Sequence, residues 1–116
     1  MNIIKLLLQL GADINKSSYD GETPLYIATE NGHKSIVEFL IQSGANINKS
    51  SYDGSTPLYI ATENGHKSIV EFLIQSGADI NKENKDTSTP LHIAAANGNL
   101  SMVEFLVKSG ADIKRS

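Results

Sequence analysis

Residues 17–49 read SSYDGETPLYIATENGHKSIVEFLIQSGANINK, and residues 50–82 read SSYDGSTPLYIATENGHKSIVEFLIQSGADINK. The two stretches differ at two of 33 positions, where Glu22 and Asn46 of the first become Ser55 and Asp79 of the second. Self-similarity at a fixed period of this size is the sequence signature of repeat architectures, in which short units stack on their neighbours. The period therefore decides the fold class before any other feature is considered.

The same period extends over almost the whole chain. Residues 83–115 match the second stretch at 19 of 33 positions, and residues 3–20 match residues 36–53 at 12 of 18. We therefore interpret residues 1–116 as a single repeat domain, with a partial unit at 1–16 and full units at 17–49, 50–82 and 83–115.

Each full unit predicts two short helices. Thr23 is a helix-capping residue, and Pro24 is favoured at the first helical position, where its missing N–H has no intrahelical partner. Gly32 and Gly44 then mark the ends of the first and second helices, because glycine tolerates the left-handed terminal conformation. Between them, apolar residues recur at helical spacing and form one wide stripe: Ile36, Val37, Leu40 and Ile41.

A hairpin-like tip at Asp53-Gly54 is predicted between consecutive helix pairs, since Asp-Gly favours tight turns. A two-helix unit this short buries its apolar faces only against neighbouring units. We expect the core to contain Leu25, Ala28, Val37 and Leu40 with their equivalents one and two periods later.

Composition excludes several classes of protein. Hydrophobic residues make up 40% of the chain, and ten Lys and Arg against thirteen Asp and Glu give a net charge of −3, which disfavours binding to nucleic acid or to an anionic membrane. Cysteine is absent, so disulfides and cysteine-built metal sites are excluded. Apolar runs are far shorter than the ~20 residues of a membrane span. We recognise no secretory signal at the start of the chain and favour an intracellular location.

The motifs resemble those of the ankyrin-repeat family. The match lies in Thr-Pro-Leu-Tyr-Ile-Ala at 23–28 and 56–61, Thr-Pro-Leu-His-Ile-Ala at 89–94, and the repeated Asn-Gly-His and Gly-Ala-Asn/Asp-Ile-Asn segments. The resemblance implies an all-α solenoid of stacked helix-turn-helix units with hairpin-like loops. Two departures stand out: Tyr26 and Tyr59 replace the usual His, which only His92 retains, and Thr87 replaces a tip glycine, so we expect strain in the third tip.

The family resemblance also implies where a partner protein binds. In ankyrin repeats the tips and the exposed sides of the first helices line a concave face that holds partners. Carried over to this chain, the predicted protein-binding residues are Tyr19, Asp20, Glu22, Glu30 and Asn31 in the first unit, Tyr52, Asp53, Ser55, Glu63 and Asn64 in the second, and Lys85, Asp86, Ser88 and Asn97 in the third. Tyr19 and Tyr52 are the expected anchors, and the acidic first two units favour a partner with a basic patch.

Catalysis and metal binding are not expected. No phosphate-binding glycine loop and no nucleophile motif is present. His33 and His66 lie one unit apart, about 10 Å at helix-packing distance, whereas zinc ligands lie ~2 Å from the metal. We therefore predict a non-catalytic interaction module without cofactors, and we read repeated tip aspartates as turn formers.

Three interpretations stay open alongside this one. The truncated first unit and the apolar last unit favour a piece of a longer ankyrin array. The near-identity of two units also leaves open an engineered or purely structural scaffold without a natural ligand, although the truncated start and Thr87 favour a natural array. The uncapped terminal repeats also offer apolar patches, including Leu7, for self-association.

Overall fold

The computed structural model describes residues 14–113 and contains six helices in that range. They are α1 (Pro24–Glu30), α2 (Lys34–Gln42), α3 (Pro57–Glu63), α4 (Lys67–Gln75), α5 (Pro90–Ala96) and α6 (Leu100–Lys108). No strand occurs among these residues, which confirms the all-helical prediction. None of the helices between residues 14 and 113 is long and apolar enough to span a membrane. Leu7, predicted to lie in an exposed apolar patch, falls outside the described residues.

The predicted helix boundaries are confirmed. In α1 the hydroxyl of Thr23 accepts a hydrogen bond from the N–H of Tyr26, and Pro24 follows at the first helical position. Thr56 and Thr89 cap α3 and α5 in the same way. An asparagine caps the C-terminal end of the first helix in each unit, and the glycine that follows it has a positive φ, 77° at Gly32. Short local signals therefore define each helix pair.

The three helix pairs stack side by side along an elongated body of 45 × 25 × 20 Å. Within a unit, α1 packs on α2, α3 on α4 and α5 on α6. Between units, α3 lies between α1 and α5, while α4 packs on α2. The middle unit is therefore covered on both sides.

Burial follows position in the stack. Leu25, Ala28, Val37 and Leu40 are buried, as are their four equivalents in the second unit, as predicted. In the third unit Ala94 and Leu106 are buried. The prediction was wrong for Leu91 and Val103, which are only partly buried. Their equivalents in the inner units are covered by a following unit, whereas no described helix packs on the far side of α5 and α6.

Side-chain to main-chain hydrogen bonds connect neighbouring units. The side-chain oxygen of Asn48 accepts from the N–H of Asp79 at 2.9 Å, and that of Asn81 accepts from the N–H of Asp112 at the same distance. On the helix side, the amide of Asn64 donates to the carbonyl oxygen of Glu30 at 3.1 Å. These bonds recur at the period of the sequence and fix the register of the stack.

Candidate functional site

The hairpin tips, residues 18–22, 51–55 and 84–88, each present at least two exposed residues, such as Tyr52 and Asp53. Each tip is closed by a main-chain bond between its first and last residues, for example from the N–H of Ser51 to the carbonyl of Ser55 at 2.9 Å. A second bond runs from the N–H of Gly54 to the carbonyl of Ser51. The turn predicted at Asp53-Gly54 is thus confirmed.

The tips stack on one another through main-chain hydrogen bonds. The N–H of Tyr52 donates to the carbonyl of Asp20 at 3.2 Å, and the N–H of Lys85 donates to the carbonyl of Asp53 at 2.9 Å. The stacking is close: a Cβ added at Gly21 would lie 2.8 Å from the nitrogen of Tyr52. Tip glycines are therefore required both by their positive φ and by the contact with the next tip.

A cavity of about 260 Å³ lies where the first two tips meet the start of α1. Six residues line it: Asp20, Glu22, Tyr26, Ser51, Tyr52 and Asp53. Three of them carry carboxylates and two carry phenol rings. The cavity therefore combines negative charge with aromatic surface, a combination that suits a cationic side chain.

The carboxylates differ in their electrostatic surroundings. Burial raises the pKa of Glu22, and the neighbouring charges of Glu30, Asp20 and Asp53 raise it further. Conversely, the hydrogen bond from the Ser51 hydroxyl is the main cause that lowers the pKa of Asp53. The ionised form of Glu22 is thus disfavoured, and a cation placed beside it would stabilise that form.

Tyr26 forms the buried floor of this region. Burial is the main cause that raises the pKa of its hydroxyl to about 12, while a hydrogen bond with Ser51 acts in the opposite direction. The phenol is therefore neutral at physiological pH, and it joins the first helix pair to the second tip.

The junction between the second and third tips has different side chains. Ser55 stands where the first unit has Glu22, and Lys85 stands where the second has Tyr52. At this junction the hydroxyl of Tyr59 donates to that of Ser88 at 3.1 Å. The side chains of the tips thus change from acidic at the first junction to mixed in charge at the second, although the units share one sequence period.

Most of the predicted binding residues lie at the surface of the structure, but they differ in how far they are exposed. Tyr19 and Tyr52 are 95% and 64% exposed. Glu22 and Glu30 are half-buried, as is Ser88. The remaining predicted residues apart from Ser55 are exposed: Asp20, Asn31, Asp53, Glu63, Asn64, Lys85, Asp86 and Asn97.

Ser55 is a correction to the predicted surface. It is only 3% exposed, because it lies at the base of the second tip beside the buried cap Thr56, and its short side chain does not reach solvent. Its N–H donates to the carboxylate of Asp53 at 2.9 Å. Ser55 therefore shapes the tip, and its side chain is not part of the exposed surface.

Two predicted residues hold neighbouring units together. The amide of Asn64 donates to the carbonyl of Glu30, and that of Asn97 donates to the carbonyl of Glu63 at 3.0 Å. Asn31 donates within its own helix, to the carbonyl of Ile27. The side-chain amide at this position thus donates to a main-chain carbonyl in all three units.

Sequence reasoning missed two residues of the cavity, Tyr26 and Ser51. Tyr26 was identified from the sequence only as a replacement for the family's histidine, and Ser51 was not singled out. No repeated pattern marks this pair: one period after Ser51 stands Asn84, and Tyr59 instead contacts Ser88, which is the equivalent of Ser55.

His92 keeps the family's residue at the same helix position. Its ring nitrogen Nδ1 accepts from the N–H of Thr89 at 3.0 Å, while the hydroxyl of Thr89 accepts from the N–H of His92, so the pair forms a capping box. Across residues 14–113, no three His, Asp or Glu side chains are grouped so that they could hold a metal ion.

Comparison with known families gives a match over the whole chain. A family model described as ankyrin repeats (three copies) matches residues 1–84 and, in a second match, residues 49–116. A search of curated proteins finds no match to this chain.

Proposed function

Because the chain belongs to the ankyrin-repeat family, we propose that it binds a partner protein on the concave face formed by its tips and first helices. Ankyrin repeats are generally protein-interaction modules and typically non-catalytic. Residues on this rigid face would engage the partner with little change in the main chain. The partner is a protein that presents a basic patch.

The cavity between the first two tips carries this proposal. Asp20, Glu22 and Asp53 supply negative charge around a volume of about 260 Å³, and Tyr52 supplies an exposed ring at its edge. An arginine or lysine of the partner would enter beside these carboxylates and contact the ring. Its charge would also favour the ionised form of Glu22, whose pKa is raised in the unbound chain.

The difference between the first two units supports binding over simple copying. Only two of 33 positions differ between them, and one of these puts Glu22 in the cavity where the second unit has Ser55. Lys85 replaces Tyr52 one unit later. We infer that the basic anchor of the partner is received at the first junction, and that the segment beside Lys85 is neutral or acidic.

Selection from a library of random peptides tests the proposal. We expect selected peptides to share an Arg or Lys at one position and to bind Glu22→Ser and Tyr52→Ala about tenfold more weakly. Glu104→Ser is the control, since it removes the same carboxylate from an exposed position on α6 that does not line the cavity, and it should leave binding unchanged. Selected peptides that lack a common basic residue, or that bind Glu22→Ser as tightly as the wild type, would refute the basic anchor.

A library that yields no peptide specific for the chain would instead support the alternative of a structural scaffold without a ligand. That alternative rests on the near-identity of residues 17–49 and 50–82.

A further inference from the structure

The third tip differs from the first two in one residue that bears on stacking. Thr87 has a φ of 60°, whereas Gly21 and Gly54 have φ values of 80° and 86° at the equivalent positions. Within residues 14–113, Thr87 is the only non-glycine residue with positive φ. A β-branched residue in this region of φ is strained, which confirms the strain expected from the sequence.

The third tip nevertheless has the same main-chain shape. The N–H of Asn84 donates to the carbonyl of Ser88 at 2.9 Å, and the N–H of Thr87 donates to the carbonyl of Asn84 at 3.0 Å. The second tip has the same two bonds at its equivalent positions. The Cβ of Thr87 therefore points where a Cβ on Gly54 would point.

That direction is the one from which a following tip approaches. A Cβ on Gly54 would lie 2.9 Å from the nitrogen of Lys85 and 3.1 Å from the Cα of Asn84. Both are main-chain atoms, so a flexible side chain cannot relieve the contact. The Cβ of Thr87 occupies the corresponding space beyond the third tip.

Thr87 also donates a hydrogen bond to the main-chain oxygen that accepts from the next tip in the other units. In the first two tips the carbonyls of Asp20 and Asp53 accept from the N–H of the next tip. In the third tip the carbonyl of Asp86 accepts from the hydroxyl of Thr87 itself at 2.6 Å. The acceptor is thus satisfied without another unit.

From these two observations we propose that Thr87 prevents any further ankyrin-type tip from stacking on the third tip. This includes the first tip of a second copy of this chain. The steric block and the internal hydrogen bond act together. An ankyrin-type unit that packs on α5 and α6 has to do so without joining the row of tips. Head-to-tail assembly of the chain through its tips is excluded for the same reason, independently of what the concave face binds.

A single substitution at the second tip tests the steric part. Gly54→Thr places the residue found at the third tip into the second, and we expect the N–H of Lys85 to exchange with solvent about tenfold faster relative to the amides of α4. Gly65→Thr is the control, because Gly65 has a similar φ of 75° but no atom within 4 Å of an added Cβ. Unchanged protection of Lys85 in Gly54→Thr would overturn the proposal.

A longer chain tests Thr87 directly. A copy of residues 50–82 is added after Arg115, once with Thr87 and once with Thr87→Gly. The N–H of the added tip's tyrosine should exchange about tenfold more slowly in the Thr87→Gly form, where the tip is free to stack. Equal exchange rates in the two forms would show that Thr87 does not close the tip.

Discussion

Ile27 and Ile60 provide a matched test of how neighbouring units stabilise each other. They occupy the same position in the identical helix sequence PLYIATE, in α1 and α3. Ile60 is 7% exposed and Ile27 is 37% exposed, because α3 lies between two first helices whereas α1 contacts one among the described elements. We therefore predict that Ile60→Ala destabilises the protein more than Ile27→Ala.

The structure sets the size of the difference. Complete burial of an isoleucine stabilises a protein by about 3 kcal/mol at most. The exposed fractions of the two side chains differ by about a third, which corresponds to a difference of about 1 kcal/mol in the free energy of burial. Because the helix sequence is the same, helix propensity and the unfolded state contribute equally and cancel. We expect a loss of about 3 kcal/mol for Ile60→Ala and about 2 kcal/mol for Ile27→Ala.

Urea unfolding followed by far-ultraviolet circular dichroism measures both losses, since the chain has no tryptophan for fluorescence. Equal slopes of free energy against urea would show that the variants unfold through the same transition as the wild type. If Ile27→Ala costs as much as Ile60→Ala, or more, a second neighbouring unit does not supply the extra stability, and the reasoning fails.

Three further predictions concern the core, the second tip and the tyrosine–serine contact. Leu73→Ala removes a fully buried side chain from the middle unit and should lower the free energy of unfolding in urea by about 3–5 kcal/mol; a loss below about 1 kcal/mol would contradict the packing. Asp53→Asn should be less stable than wild type at neutral pH, because a lowered folded-state pKa stabilises the fold above the unfolded value of 3.8; urea midpoints should converge as the pH falls below that value, and a constant gap would count against the carboxylate's role. Tyr59→Phe and Ser88→Ala, combined in a double-mutant cycle, should show a coupling of about 0.5–1.5 kcal/mol, and strictly additive effects would mean that their hydroxyls do not interact in solution.

The helices and tips were predictable because their determinants are local. Thr23 and Pro24 start a helix, Gly32 ends it, and Asp53-Gly54 turns the chain, each within a few residues. Even the strain at Thr87 followed from one substitution in a repeated pattern. Such signals need no knowledge of the neighbouring units.

The cavity was not predictable, because it arises between units. Stacking of two tips brings Ser51 and Asp53 beside Glu22 and Tyr26, about one period earlier in the chain. Burial was not fully predictable either: Ser55, expected at the surface, is only 3% exposed. Identical local sequence thus leads to different environments, which only the stacked structure distinguishes.

The bonds between units have a genetic consequence. In the contacts of Asn48, Asn64 and Asn97, one partner is always a main-chain atom of the neighbouring unit. Every copy of the unit supplies that atom, whatever its side chains. Unequal crossing-over between the coding segments of residues 17–49 and 50–82 would therefore produce arrays one unit longer or shorter, and every new junction would form the bonds that the present junctions already contain.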